Sequence, residues 1–196
     1  MLLKKSTTIR LCLIAAIVLM SLAHFAQGGE ESTSIEYGGP FELIDQTGHA
    51  VTNRDFLGNY MLIYFGYTHC PDICPTSLMR MTGALRKMGE RENAIAPIFI
   101  SVDSLRDTPE RMAPYVKAFH PRLIGLSGDA EAISAAARAY WVQYFAGTIE
   151  GEYVVGHTGY FYLVGPDGEF IEKIKDSISA DALATKLLGY LDQAGG

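Results

Sequence analysis

The chain has 196 residues, 48% hydrophobic and 19% charged, which suits one globular domain behind a leader and excludes wholesale disorder. Its formal net charge is −6, and the first 26 residues hold three basic groups (Lys4, Lys5, Arg10) and no acid, so the remainder carries −9. An acidic body has no electrostatic footprint for nucleic acid, and that class of partner is set aside.

Residues 1–26 run from a basic stretch through an apolar run, Leu11 to Leu22, into small and polar residues. That is the layout of an export signal, cleaved after Ala23 or Ala26, or of an uncleaved N-terminal membrane anchor. Both readings put the body outside the cytoplasm. Cys12 reads as an apolar leader residue. Residues 27–37 are rich in Gly, Ser and Glu and read as a linker, which leaves 38–196 as the folded domain.

In the domain, "FELIDQTGHAVT" predicts two short strands around a turn at Gln46–Gly48. "YMLIYFGYT", Tyr60 to Thr68, is a nearly unbroken apolar run and predicts a buried central strand. After Pro75, Leu78, Met81, Leu85 and Met88 recur at helical spacing. "IAPIFISVD", Ile95 to Asp103, predicts a second buried strand. A helix capped by Asp107 or Thr108 follows, with Pro109 at its first position. "RLIGLS" is a short strand, and an Ala-rich helix opens at Asp129. "EYVV", "GYFYLVG" and "EFIEKI" are further strands, and a last helix covers about Ser179 to Gln193. Strands alternating with helices predict βαβ units and an α/β class. The order is that of a thioredoxin-like fold with an added N-terminal β-hairpin.

The chemistry concentrates in "YTHCPDICPTS", residues 67–77, where three residues separate Cys70 from Cys74. Cys12 aside, these are the only cysteines, in a domain read as exported, where a disulfide is the ordinary outcome. One bridge closing so small a loop constrains the unfolded chain little, so a purely structural staple explains it poorly. Pro75 predicts Cys74 as the N-cap of the following helix, with Cys70 in the loop that enters it. A helix N-terminus favours thiolate, so the pair reads as two poised thiolates. Such a pair either cycles between dithiol and disulfide or binds a soft ion, Cu(I) with Zn(II) as competitor, and an imidazole commonly completes the shell. Closed structural zinc lacks a fourth protein ligand.

Among the histidines, His24 lies in the leader, His49 in a turn, and His120 at a helix end where it caps. His69 adjoins Cys70 and is an alternate ligand at most. His157 stands before a buried strand, in the loop that faces the cysteines in thioredoxin-like folds. Thioredoxins keep a cis-proline there, whereas residues 151–165 hold no proline. Asp103 and Asp107 read as turn and cap residues.

"GGPFELIDQTGHAVTNRDFLGNYMLIYFGYTHCPDICPTSL", "SVDSLRDTPERMAPYVKAF" and "GHTGYFYLVGPDGEF" together resemble the Sco/SenC family of copper-binding proteins of cytochrome c oxidase assembly, from about Gly38 to Leu188. The resemblance implies a copper ion held by Cys70, Cys74 and His157, with Cys70 and Cys74 also able to form a redox-active disulfide. It implies a periplasmic protein, or one anchored in the inner membrane and facing the periplasm. The implied role is a copper chaperone for the CuA centre of oxidase subunit II, with other copper chaperones or thiol–disulfide reductases as further partners. A thiol–disulfide reductase acting on the CuA cysteines is the alternative, and a peroxiredoxin-like peroxidase is a third reading. A chaperone is not an enzyme; the reductase and the peroxidase are. Two positions depart from the family: Gly156 replaces an acidic residue common before the histidine, and Ser104–Leu105 replace a Pro and a polar residue.

Overall fold

The structure is a computed structural model and describes residues 38–194. The leader and linker expected over 1–37 lie outside the described residues. Within these, no helix is long and apolar enough to cross a membrane.

Two strands form the centre, β3 (Tyr60–Gly66) and β4 (Ile95–Ser101), and every residue of both is buried. They pair in parallel from Tyr60↔Ile95 to Gly66↔Ser101. Unbroken apolar strands need cover on both faces, and the chain provides it. Tyr60, Leu62 and Tyr64 point to one face, against α1 (Ile73–Met88), α2 (Pro109–Phe119) and α4 (Ala180–Ala194). Met61, Ile63 and Phe65 point to the other, against α3 (Ala130–Ala139). The helical stripe Leu78, Met81, Leu85 and Met88 is buried as its spacing predicts. Each such side chain contributes ~1.5–3 kcal/mol by burial. Exposed ion pairs such as Lys87–Asp181 and Arg91–Asp192 typically add no more than ~1 kcal/mol each. The packed layers therefore hold the frame.

The hairpin β1 (Glu42–Asp45) and β2 (Ala50–Thr52) joins this sheet through β5 (Ile124–Ser127). On the other side come β8 (Tyr160–Val164) and β9 (Phe170–Lys175). The strand order is β2-β1-β5-β4-β3-β8-β9, with β3-β4-β5 parallel and the other pairs antiparallel. This is the thioredoxin-like α/β fold with its N-terminal hairpin.

The structure departs from expectation in three places. A hairpin of β6 (Tyr144–Ile149) and β7 (Glu152–His157) forms a separate two-stranded sheet, and β6 was not foreseen. Its turn is Glu150–Gly151, at φ 50° and 89°, the signs a two-residue type I′ turn needs. Helix α1 begins at Ile73 after Asp72, not after Cys74. Pro75 is its third residue, where a missing N–H costs nothing because the first helical N–H groups have no partner inside the helix. The central strands stop at Gly66 and Ser101, short of Thr68 and Asp103: the Val102 N–H still reaches the Gly66 carbonyl at 2.8 Å, but beyond it β3 turns away. The Thr68 N–H donates to Asp107 Oδ2 at 2.8 Å.

Candidate metal centre

The site lies where β3 ends and α1 begins. Strand β8 runs antiparallel to β3 with Tyr64 opposite Phe161, so the segment before β8 comes back over the residues after Gly66. His157, the last residue of β7, is thereby delivered to the cysteine loop.

Cys74 lies in the first turn of α1, fully buried, and its Sγ is 3.1 Å from His157 Nε2. The Cys74 N–H donates to Cys70 Sγ at 3.4 Å. Both cysteines are free thiols, and Cys70 is partly exposed. His157 Nδ1 lies 3.2 Å from the Thr158 carbonyl. A carbonyl only accepts, so Nδ1 carries the proton and Nε2 presents its lone pair to Cys74. The imidazole is held edge to face by Tyr64 and Tyr67, at ring separations of 5.8 and 5.9 Å. Gly66 leaves room for the sulfur, since a Cβ there would come within 3.0 Å of Cys74 Sγ and 2.8 Å of Phe99. The three donor atoms do not all lie within 4.8 Å of one another. Of the two cysteines, Cys70 is the partly exposed one.

The two thiols are not equivalent, which corrects the expectation of two poised thiolates at a cap. Burial pushes the Cys74 thiol well up, and the Tyr67 N–H offsets this only in part. Burial also acts on Cys70, but the N–H groups of Cys74 and Asp72, the Cys74 thiol and the Tyr67 hydroxyl outweigh it and hold Cys70 below an ordinary thiol. The Tyr67 hydroxyl is in turn pushed up to about 12 by its burial and by Cys70. His157 is held below an ordinary imidazole, chiefly by burial, so it is neutral and ready to coordinate at pH 7. In the reduced, metal-free protein, Cys70 is therefore expected to be alkylated first. Its rate should rise with pH at values below those of a free cysteine, whereas Cys74 stays unreactive. Iodoacetamide labelling followed by peptide mass spectrometry reads both profiles, and faster labelling of Cys74 would contradict the assignment.

His69 turns the other way. Its Nδ1 lies 3.3 Å from Thr68 Oγ1 and 3.6 Å from Asp107. Together with Asp103 and Asp107 it forms a compact His–Asp–Asp group. The carboxylates there are already engaged. Asp107 accepts from Thr68 N–H (2.8 Å), Thr68 Oγ1 (2.6 Å) and Ser101 Oγ (2.6 Å). Asp103 accepts from the Arg106 backbone and guanidinium and from Tyr153 OH. Arg106 pairs with Asp103, and the Asp107 oxygens are taken up by Thr68 and Ser101, so the two buried carboxylates form a structural network. Asp103 sits in the turn as read, its Oδ1 accepting the Arg106 N–H, and of the two cap candidates Thr108, not Asp107, opens α2. His49 sits in the exposed β1–β2 turn. His120 ends α2 but is buried, its Nδ1 accepting the Arg122 N–H at 3.2 Å. The supporting residues Tyr64, Gly66 and Tyr67 went unnoticed in the sequence, where only the glycine just before the cysteine loop carried a signal.

The SCO1/SenC family model matches residues 29–192. The human protein described as "Protein SCO1 homolog, mitochondrial" is 44% identical over 162 residues, covering 78% of this chain and 54% of its own length. The chain spans about half the length of the curated relatives it matches. Arabidopsis thaliana ScoI, solved with copper bound, is 39% identical, covers 80% of this chain and 98% of its own, and superposes with a TM-score of 0.74. Bradyrhizobium japonicum ScoI, also solved with copper bound, is 42% identical, with coverage of 79% and 99% and a TM-score of 0.73.

Proposed function

The chain belongs to the SCO1/SenC family, and from that premise we propose that it binds copper as cargo through Cys70, Cys74 and His157 and acts as a chaperone in cytochrome c oxidase assembly. The observation that carries this reading is the buried contact between Cys74 Sγ and the lone-pair face of His157 Nε2, with Cys70 beside it. Two sulfurs and an imidazole make a set that selects Cu(I). The recipient is the CuA site of oxidase subunit II, and the domain works on the periplasmic side, exported or anchored. Anaerobic titration of the reduced protein with Cu(I), followed by X-ray absorption, tests the reading. The expected result is one copper per chain in a shell of two sulfurs and one nitrogen. A protein that takes up no copper, or a shell without nitrogen, would sink it.

A second reading rests on the unequal thiols. Cys70 as thiolate can attack a target disulfide, releasing one target thiolate. Cys74 then gives up its proton and attacks Cys70 of the mixed disulfide. The products are a Cys70–Cys74 disulfide and a reduced target, the balance of a thiol–disulfide reductase. The CuA cysteines are the target in this reading. The two roles are compatible in one protein, because copper loads only onto the reduced pair. Nothing favours a peroxidase: the cysteine of its Cys-Pro-Thr motif is Cys74, which is fully buried and hard to ionise.

A further inference from the structure

Directly after β9 stands Asp176, 19 residues beyond His157 in sequence and half-buried in the structure. Its carboxylate Oδ2 accepts from Ser77 Oγ at 2.8 Å and from Tyr64 OH at 3.3 Å. Its backbone carbonyl accepts from Arg80 Nη1 at 3.1 Å, and its N–H donates to the Gly159 carbonyl at 3.3 Å. The carboxylate lies so close over Gly159 that a Cβ there would come 2.5 Å from Oδ2.

These partners are the supports of the metal centre. Ser77 lies three residues after Cys74, nearly one turn along α1, and Arg80 one turn further. Tyr64 is the buried ring that packs edge to face on the His157 imidazole. Gly159 is two residues past His157, in the turn that delivers it. One side chain thus bonds to the helix that carries Cys74, to the ring that orients His157, and through its own backbone to the His157 turn.

We propose that Asp176 is a positioning residue for the Cys74–His157 pair, setting the separation and tilt of the two groups without touching an ion. The proposal rests on the copper-site reading above, where Cys74 and His157 are ligands. Its geometric content does not depend on copper. Ser77 and Tyr64 both donate to a single oxygen, so loss of the carboxylate releases the helix start and the tyrosine ring together. A residue that orients a ligand from outside the coordination shell typically changes metal affinity about 10- to 100-fold when removed.

The test compares wild type, Asp176→Asn, Asp176→Ala and Ser77→Ala as full reduced chains. Three quantities are measured: Cu(I) affinity against a chelator, the nitrogen contribution in X-ray absorption, and the urea unfolding midpoint without copper. Asp176→Ala is expected to lose about 10- to 100-fold in affinity and to weaken or lengthen the nitrogen scattering. Asp176→Asn, which keeps an acceptor oxygen for the two hydroxyls, should recover most of that loss. Ser77→Ala should fall between Asn and Ala. A merely structural residue would move the urea midpoint and leave the nitrogen scattering of the folded protein alone. Wild-type affinity and scattering in Asp176→Ala would overturn the proposal. If wild type takes up no copper, the chaperone reading fails by itself. The positioning claim is then read from the His157 imidazole NMR signals and the Cys70–Cys74 reduction potential. Both are expected to shift in Asp176→Ala, and unchanged values would overturn it.

Discussion

Cys74→Ala is expected to lower the Cu(I) affinity of the reduced protein by more than about 100-fold, beyond the effect of removing an outer support. Cys74 is the centre of the constellation: its sulfur faces His157 Nε2 and its N–H holds the Cys70 sulfur. Alanine keeps that backbone N–H but takes away the sulfur that faces His157 Nε2, whereas Cys70→Ala leaves the Cys74–His157 contact in place. The order of loss should therefore be largest for Cys74→Ala. The fold should survive, because only one sulfur atom leaves the core and small deletions there cost on the order of 1 kcal/mol. Competition with a Cu(I) chelator, alongside circular dichroism to confirm folding, reads the result. Wild-type affinity in folded Cys74→Ala would remove the ligand assignment.

The largest loss of stability is expected from Asp107→Ala. This carboxylate is buried and is held by Thr68 N–H, Thr68 Oγ1 and Ser101 Oγ. The hydroxyls can rotate towards other acceptors, but the Thr68 N–H cannot, and a buried orphan donor costs ~1–3 kcal/mol. With the two hydroxyl bonds to this charged acceptor also lost, the total is about 3 kcal/mol or more. In a domain of this size that lowers the melting temperature by about 6–12 °C. Asp107→Asn should cost less, since one oxygen still accepts the Thr68 N–H and the new amide can donate to a hydroxyl oxygen. Thermal and urea unfolding of the reduced, metal-free protein measure both variants. A loss below about 1 kcal/mol for Asp107→Ala would show that the network is not what holds the cysteine loop.

The central strands were legible because Tyr60 to Gly66 and Ile95 to Ser101 are apolar on both faces, and only a covered sheet makes such runs. His157 was legible through strand order, since the segment before β8 had to return to the end of β3. Strand β6 was not. Its Phe145 and Ile149 face outwards, and a Glu-Gly turn lacks the familiar Asn-Gly or Asp-Gly signature. Pro75 pointed to a helix start but could not tell the first helical position from the third. The difference between the thiols was hidden because burial is a tertiary property. The partners of Asp107 lie up to 39 residues away in sequence, so cap residues were the nearer reading. Asp176 was invisible for the same reason, with Ser77 and Tyr64 99 and 112 residues away.

The hairpin that carries His157 shares no ladder with the seven-stranded sheet. It is fastened by the buried Val155, by Tyr153 against Asp103 and Arg106, and by His157 against Cys74. A lone two-stranded hairpin is marginally stable, so its opening free energy lies below that of the central strands. The sulfurs stand at the end of the seven-stranded sheet and the start of α1, and the nitrogen stands on the smaller sheet. In the copper-site reading, an ion bound by all three donors would tie the two sheets together and stabilise the hairpin by mass action.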